Sequence, residues 1–292
     1  IYEQASEEKK KRLPMESIKE QLKQRKQGPA LVNDLPDSAL DHIGESMIGQ
    51  CTAAECLGSD YSKHLDALYD ELCTTVSEIY SPPRVTRAAK LLPKLGILPG
   101  FAMDITTRDE EGNPWDFTVK AQKRKALKRV VTEEPDLLVG SPMCKEFSAW
   151  QRFNKAVSSN PEKYVVNKRA AVEHLEFVCK ADEIQAKDGR LFLHEHPLEA
   201  SSWDEECVQK LLKIPGVNYV DMDQCRYGQV DEKGNPIKKP TRFLSNSQHI
   251  LQALNKRCLG HAGWCLQGSE WKRHTPCFGK VATAAAVYPF QF

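Results

Sequence analysis

Long apolar runs are missing from this sequence. No uninterrupted stretch approaches the ~20 residues needed to cross a bilayer, and the opening segment, IYEQASEEKKKR, is charged where a secretion signal would be apolar. A membrane-spanning or exported chain is set aside, and an intracellular protein is expected, nuclear if the source is eukaryotic. A surplus of one charge is missing too: 41 Lys and Arg stand against 40 Asp and Glu. No global field draws nucleic acid, and any basic binding surface has to be local. Cysteine is not scarce, at ten, but the spacing of small disulfide-stapled domains is absent. Cys73, Cys179 and Cys207 sit singly in apolar or helical contexts, as in a reducing compartment. Beginning at Ile1, the chain is expected to be part of something longer.

What is present reads as an α/β protein. At 292 residues the chain can bury a core without disulfide or metal help. The first residues, rich in Lys, Glu and Gln, read as an exposed helix or arm. Its KKKR run at 9–12 is first a solvated face and only second a phosphate contact. Over 37–77, Leu40, Ile43, Met47, Leu65, Leu68 and Leu72 recur at helical spacing. From Val76 the texture changes. TVSEIYS, PGFAMDI, PDLLVGS, GRLFLHEHP and VNYVDMDQCRYG read as strands; RVTRAAKLLPKLG, AQKRKALKRVVTEE, NKRAAVEHLEFVCKADEIQAKDG and SWDEECVQKLLKIPG read as helices. The order βαβαβαβαβ predicts a mostly parallel, doubly wound sheet. The expected division is a helical extension over 1–75, a sheet domain over 76–230, a short recognition region over 231–272 and a terminal helix over 273–292.

In such a sheet, ligands bind beyond the carboxyl ends of the strands. The unusual residues fall there: Ser81, Asp104, Cys144, Glu195, and Gln224 with Arg226. Cys144, in GSPMCKEFS, leaves a strand through Gly140 and Pro142 into a loop. It is either an ordinary small apolar residue or a reachable thiol whose pKa neighbouring N–H groups or cations lower. Glu195 ends an apolar run in FLHEHP, where it is either Arg-paired or a proton donor held at raised pKa. Its neighbours His194 and His196 share the other strand face, so the three do not form a metal set. Gln224 and Arg226 alternate at a strand end and can each fork onto a planar ligand. Near the end, Cys258, His261, Cys265, His274 and Cys277 share one window but lack a tight CxxC pair, and no metal is expected. KAQKRKALKR reads as a crossover helix showing its charge to water, and KKPTRFLSNS as a Pro-Thr turn before a short polar strand.

Taken in order, these segments resemble the C5-cytosine DNA methyltransferase family. GSPMCKEFS is similar to its Gly-x-Pro-Cys-x-x-Phe-Ser segment, FLHEHP to its Glu-Asn-Val segment and QCRYG to its Gln-x-Arg-x-Arg segment. EIYSPPRVT, AMDI, PWDFT and FGKVATAAAVYP match the cofactor turn, the ribose acid, the adenine contact and the last helix. The resemblance implies a Rossmann-like methyltransferase fold using S-adenosylmethionine on DNA cytosine, in a single- or double-stranded target. It makes Cys144 the nucleophile, Glu195 the acid at N3 and Arg226 the positioning group. It assigns the cofactor to Tyr80, Ser81, Asp104, Ile105, Asp116, Phe117 and Pro142. DNA contacts would come from Gln224, Ser148, Trp150, Arg152, Lys239, Thr241, Arg242 and Asn246. Three features depart from the pattern: Pro82, Pro83 and Arg84 replace the glycine-rich turn, Met143 precedes the cysteine, and the recognition stretch is short. A fold that binds nucleic acid without catalysis, or that acts on RNA cytosine, is the alternative.

Overall fold

The computed structural model describes residues 73–92, 95–148, 161–267 and 269–289. Two compact units divide the chain. One comprises Thr75–Lys90 with Pro99–Phe292 and carries the features below; the other comprises Ile1–Thr74 with Leu91–Leu98. The helical extension expected over 1–75 lies almost wholly outside the described residues, as does the segment holding Trp150 and Arg152.

A six-stranded sheet runs β2-β1-β3-β4-β6-β5. Its strands are β1 (Thr74–Ile79), β2 (Ile97–Met103), β3 (Leu137–Gly140), β4 (Leu191–Pro197), β5 (Asn218–Asp223) and β6 (Pro240–Ser245). Strands β1, β3 and β4 pair in parallel, whereas β6 is antiparallel to both β4 and β5. The helices between strands are α1 (Val85–Ala89), α2 (Lys120–Glu133), α3 (Pro161–Lys187) and α4 (Glu206–Leu211). After β6 come α5 (Gln248–Leu254), a hairpin of β7 (Trp264–Gln267) with β8 (Glu270–Arg273), and α6 (Gly279–Ala284). This is the Rossmann-like, mostly parallel α/β class that the alternation of segments predicts. No helix among the described residues is long and apolar enough to cross a membrane.

The core follows the helical and strand periods. Ala171, Leu175, Val178 and Ala181 of α3 are buried, with Leu138 and Phe192 of the sheet in the same core cluster. Gly140 ends β3 beneath this helix, and a Cβ there would lie only 3.0 Å from Val178 Cγ2. The glycine that opens the Cys144 loop therefore also permits the close helix packing.

Three local expectations change. The helix expected over 84–96 is only α1, because proline at 93 disfavours helical backbone in the residue before it. The short polar strand expected in KKPTRFLSNS is instead the inner reversed strand β6, with Thr241, Phe243, Leu244 and Ser245 buried. Its polar groups find internal partners: Ser245 Oγ donates to the Phe192 carbonyl at 2.6 Å, and Arg242 forks onto Asp221 at 2.7 and 3.1 Å. Finally, the strand expected to run through Gln224 and Arg226 stops at Asp223, and Gln224–Tyr227 form a 3-10 turn. Two residues apart on such a turn point in different directions, so Gln224 is fully buried while Arg226 is exposed.

Candidate functional site

The site forms where the carboxyl ends of β1, β3 and β4 meet the start of β6. Beyond Gly140 the chain runs through Ser141, Pro142 and Met143 to Cys144, which opens the 3-10 turn Lys145–Phe147; Ser148 closes it. Two contacts hold this loop. His196 of β4 hydrogen-bonds the Pro142 carbonyl through Nε2 at 3.0 Å, so Nε2 carries the proton and Nδ1 accepts from Ser202 Oγ at 2.6 Å. Phe147 is buried beneath Lys168 Nζ, which sits 3.8 Å from its ring centroid and 2.8 Å from Glu205. His196 is wholly buried, and desolvation pushes its pKa down to about 3. It is a neutral strut for the cysteine loop. His194, on the same face, pairs with the buried Asp182 at 2.9 Å.

Glu195 faces the other way, in register with Phe243 of β6. Ser141 Oγ donates to its Oε2 at 2.5 Å, tying the β3 loop to the β4 carboxylate. Cys144 is half-buried. Its thiol pKa is raised, first by burial and next by the negative charge of Glu195, while Lys239 acts in the opposite sense. Thiol, carboxylate and ammonium thus sense one another across one mouth. The Tyr288 hydroxyl completes the group. It is buried against Glu195, Gln224 and Thr241, and burial followed by the Glu195 charge holds its proton tightly. Two cations fasten the segment that carries it: Lys239 Nζ donates to the Ala285 carbonyl at 3.2 Å and Arg84 Nη1 to the Ala286 carbonyl at 2.8 Å.

The residues matched to the cofactor line the ends of β1 and β2. Tyr80, immediately after β1, has φ of 60°, a left-handed conformation that is rare for a bulky residue. It is held by a 2.7 Å hydrogen bond from its hydroxyl region to His174 Nδ1 and by packing on Phe117 at 4.8 Å. Ser81 is buried, and its hydroxyl donates to the Pro82 carbonyl. Asp104 and Asp116 stand at the two ends of one hairpin loop, closed by Trp115 N to the Thr107 carbonyl. Each carboxylate accepts from a threonine two residues on, Thr106 or Thr118, and each is partly accessible. Ile105 is 58% exposed, whereas Phe117 is buried between Tyr80 and Phe177. The Pro82-Pro83-Arg84 turn enters α1, whose first N–H groups are already satisfied. The Glu78 carboxylate accepts from the backbone N of Arg84, Val85 and Thr86 and from Thr86 Oγ1, at 2.6 to 3.2 Å. Sequence reading passed over Glu78, and its signal was a glutamate inside a strand whose burial only an adjacent helix start could satisfy.

Of the residues matched to DNA contact, Gln224, Lys239 and Thr241 join Cys144 and Glu195. Arg242 does not. It shares the His196 face and is committed to Asp221, with its guanidinium 4.0 Å from the Tyr219 ring. Asn246 does not either; it braces the amino end of β4 through the Phe192 N–H and the Arg190 carbonyl. Ser141, His196 and Tyr288 are the site residues that sequence reading missed. For the first two the only signal was position beside Pro142 and Glu195, and Tyr288 arrives from the far end of the chain.

No protein-family model matches the sequence, and no curated protein matches it. Among solved structures, a methyltransferase of Entamoeba histolytica, EhMeth, is similar with a TM-score of 0.37 at 14% identity, over 60% of this chain and 53% of the other. The chain spans about half the length of that neighbour.

Proposed function

We propose that this chain transfers a methyl group to C5 of cytosine in DNA, with S-adenosylmethionine as donor, through a covalent bond from Cys144 to C6. The observation that carries the reading is the pairing of a half-buried thiol and a carboxylate on neighbouring strand ends, joined through Ser141. Carbon 5 of cytosine is a poor nucleophile. Addition of the Cys144 thiolate at C6 moves the C5–C6 electron pair toward C5, while Glu195 donates a hydrogen bond or proton at N3. When bound, S-adenosylmethionine supplies the electrophilic methyl carbon that C5 attacks. Loss of the C5 proton to a base then expels the sulfur and restores the ring. Gln224 and Thr241 offer hydrogen bonds at the ring edge, whereas Arg226, exposed on the other side of the 3-10 turn, reaches the ring's carbonyl oxygen only if that turn rearranges. A base stacked in a duplex cannot present C5 and C6 to this mouth, so the target base has to be flipped or single-stranded.

The residues suit a nucleoside cofactor at one end and less so at the other. Asp104 and Asp116 are accessible acceptors for ribose hydroxyls or an exocyclic amine, and Ile105 offers an open apolar face. The N–H groups at the start of α1, which an anionic ligand group would otherwise use, are taken by Glu78. That observation favours a second reading, a nucleic-acid-binding module that keeps the fold without the methyl donor.

An oligonucleotide carrying 5-fluorocytosine tests the first reading directly. Fluorine at C5 cannot leave as a proton, so a covalent adduct on the wild type, absent from Cys144→Ala, is the expected outcome. No adduct with either DNA or RNA carrying the analogue, in the presence of the methyl donor, overturns it.

A further inference from the structure

We infer that Cys225, Cys258, Cys265 and His274 form a structural zinc site that locks the turn bearing Gln224 and Arg226 to the β7–β8 hairpin. The ligand atoms of these four residues all lie within 4.8 Å of one another. The Cys258 and Cys265 sulfurs are 3.7 Å apart, and Cys258 Sγ is 3.5 Å from His274 Nε2. Zinc bonds of about 2.3 Å to sulfur and about 2.0 Å to nitrogen give a tetrahedron with edges of about 3.8 and 3.5 Å. The two separations match, and a disulfide, at about 2.05 Å, does not.

The surroundings are those of ligating thiolates. Gln267 Nε2 donates to Cys265 Sγ at 3.0 Å and to the Cys225 carbonyl at 3.1 Å, and the Gly260 N–H points at Cys258 Sγ at 3.4 Å. The His274 backbone N–H donates to the Gly263 carbonyl at 2.7 Å, which holds the residue carrying the imidazole against the turn before β7. Asp223 accepts from the Cys258 N–H at 2.8 Å and from Arg257 at 3.2 Å, bracing the segment against the end of β5. Gly260 is required by close approach, since a Cβ there would fall 1.8 Å from the Trp264 carbonyl oxygen. A side chain at 260 would push Cys258 away from β7.

Apart from these hydrogen bonds, the hairpin has little apolar packing among the described residues. Its strands are four residues each, all of β8 is exposed, and Trp264 and Trp271 are about half exposed. A two-stranded hairpin is marginal in water, and a structural zinc contributes folding energy directly. Three cysteines with one histidine in tetrahedral array select zinc over harder cations. Binding releases the thiol protons and leaves one net negative charge, beside Arg257. Because Cys225 lies between Gln224 and the exposed Arg226, the metal would set where those two side chains stand. The site does not depend on the chemistry at Cys144.

The experiment is metal analysis of the purified full chain with two sets of variants. The wild type and the two off-cluster controls, Cys277→Ser and His261→Ala, are expected to carry about one zinc per chain. Cys277 and His261 lie outside the four-residue cluster, and the His261 ring meets Trp271 edge-on. Cys225→Ser, Cys265→Ser and His274→Ala are expected to lose the metal. Cobalt exchange on the wild type reads the site without relying on variants that misfold, and tetrahedral absorption with thiolate charge transfer is expected. A zinc-free wild type after incubation with one equivalent, an octahedral cobalt spectrum, a Cys258–Cys265 disulfide, or equal loss in Cys277→Ser would overturn the assignment.

Discussion

Cys144 is not a ready-made thiolate. Burial and the Glu195 charge raise its pKa, and Lys239 and a backbone hydrogen bond pull the other way. A thiol restrained in this fashion becomes more reactive when the charge around it changes, as when Glu195 takes up a proton. The balance is measurable without substrate. Glu195→Gln keeps an acceptor for Ser141 but removes the charge, so the thiol should titrate at lower pH. Alkylation of the Cys144 peptide by iodoacetamide at pH 8, followed by mass spectrometry, should speed up by about two- to tenfold, an interaction of roughly 0.4 to 1.4 kcal/mol. Lys239→Met should slow it. Equal rates in all three proteins would mean that the groups do not sense one another in solution.

At the scale of elements, β4 bears the site on one face and its support on the other. Glu195 faces the mouth, and His196 fixes the Pro142 carbonyl and so the cysteine loop. A histidine held neutral by burial makes stability fall with pH in a defined window. Its ordinary pKa is about 6.5 and its folded value about 3, so the unfolded chain binds the proton first as pH drops. The contribution is complete above about 6.5, declines on the way to 3 and is on the order of 3 kcal/mol smaller by pH 4. Urea midpoints measured from pH 7 to pH 4 should therefore fall, and should fall less in His196→Gln, which keeps a donor for Pro142 but does not titrate. The same elements show what a sequence yields. Strands β1, β3 and β4 and helices α2 and α3 were legible because their apolar periods match their structure. The reversed β6 was not, since Thr241, Arg242 and Ser245 look solvated until Asp221 and the Phe192 carbonyl are known to be their partners. Of the four inferred zinc ligands, Cys258, Cys265 and His274 stood in one window of the sequence, but Cys225 lies far upstream, and a spacing rule sees only neighbours.

For the whole molecule, the open question is whether the methyl donor binds a chain whose cofactor turn is Pro82-Pro83-Arg84 and whose α1 start is capped by Glu78. With 41 basic against 40 acidic residues, no overall field compensates for a weak pocket, so affinity has to come from the loop between Asp104 and Asp116. A ligand that binds only the folded state raises stability by RT ln(1 + [L]/Kd), about 2.7 kcal/mol at a hundredfold excess over Kd. For a unit of this size that corresponds to a rise in Tm of roughly 5–11 °C. Titration of S-adenosylmethionine is expected to give a saturating shift of that order. Asp104→Ala should abolish the shift while leaving the unliganded Tm within a few degrees, because Asp104 bonds only its own turn at Thr106. A flat titration at millimolar ligand, together with retained binding to a cytosine-containing oligonucleotide, would identify the silent module instead. Adduct formation with 5-fluorocytosine alongside a flat titration would mean that the donor binds productively only with the base in place, because the stalled adduct forms only after methyl transfer to C5.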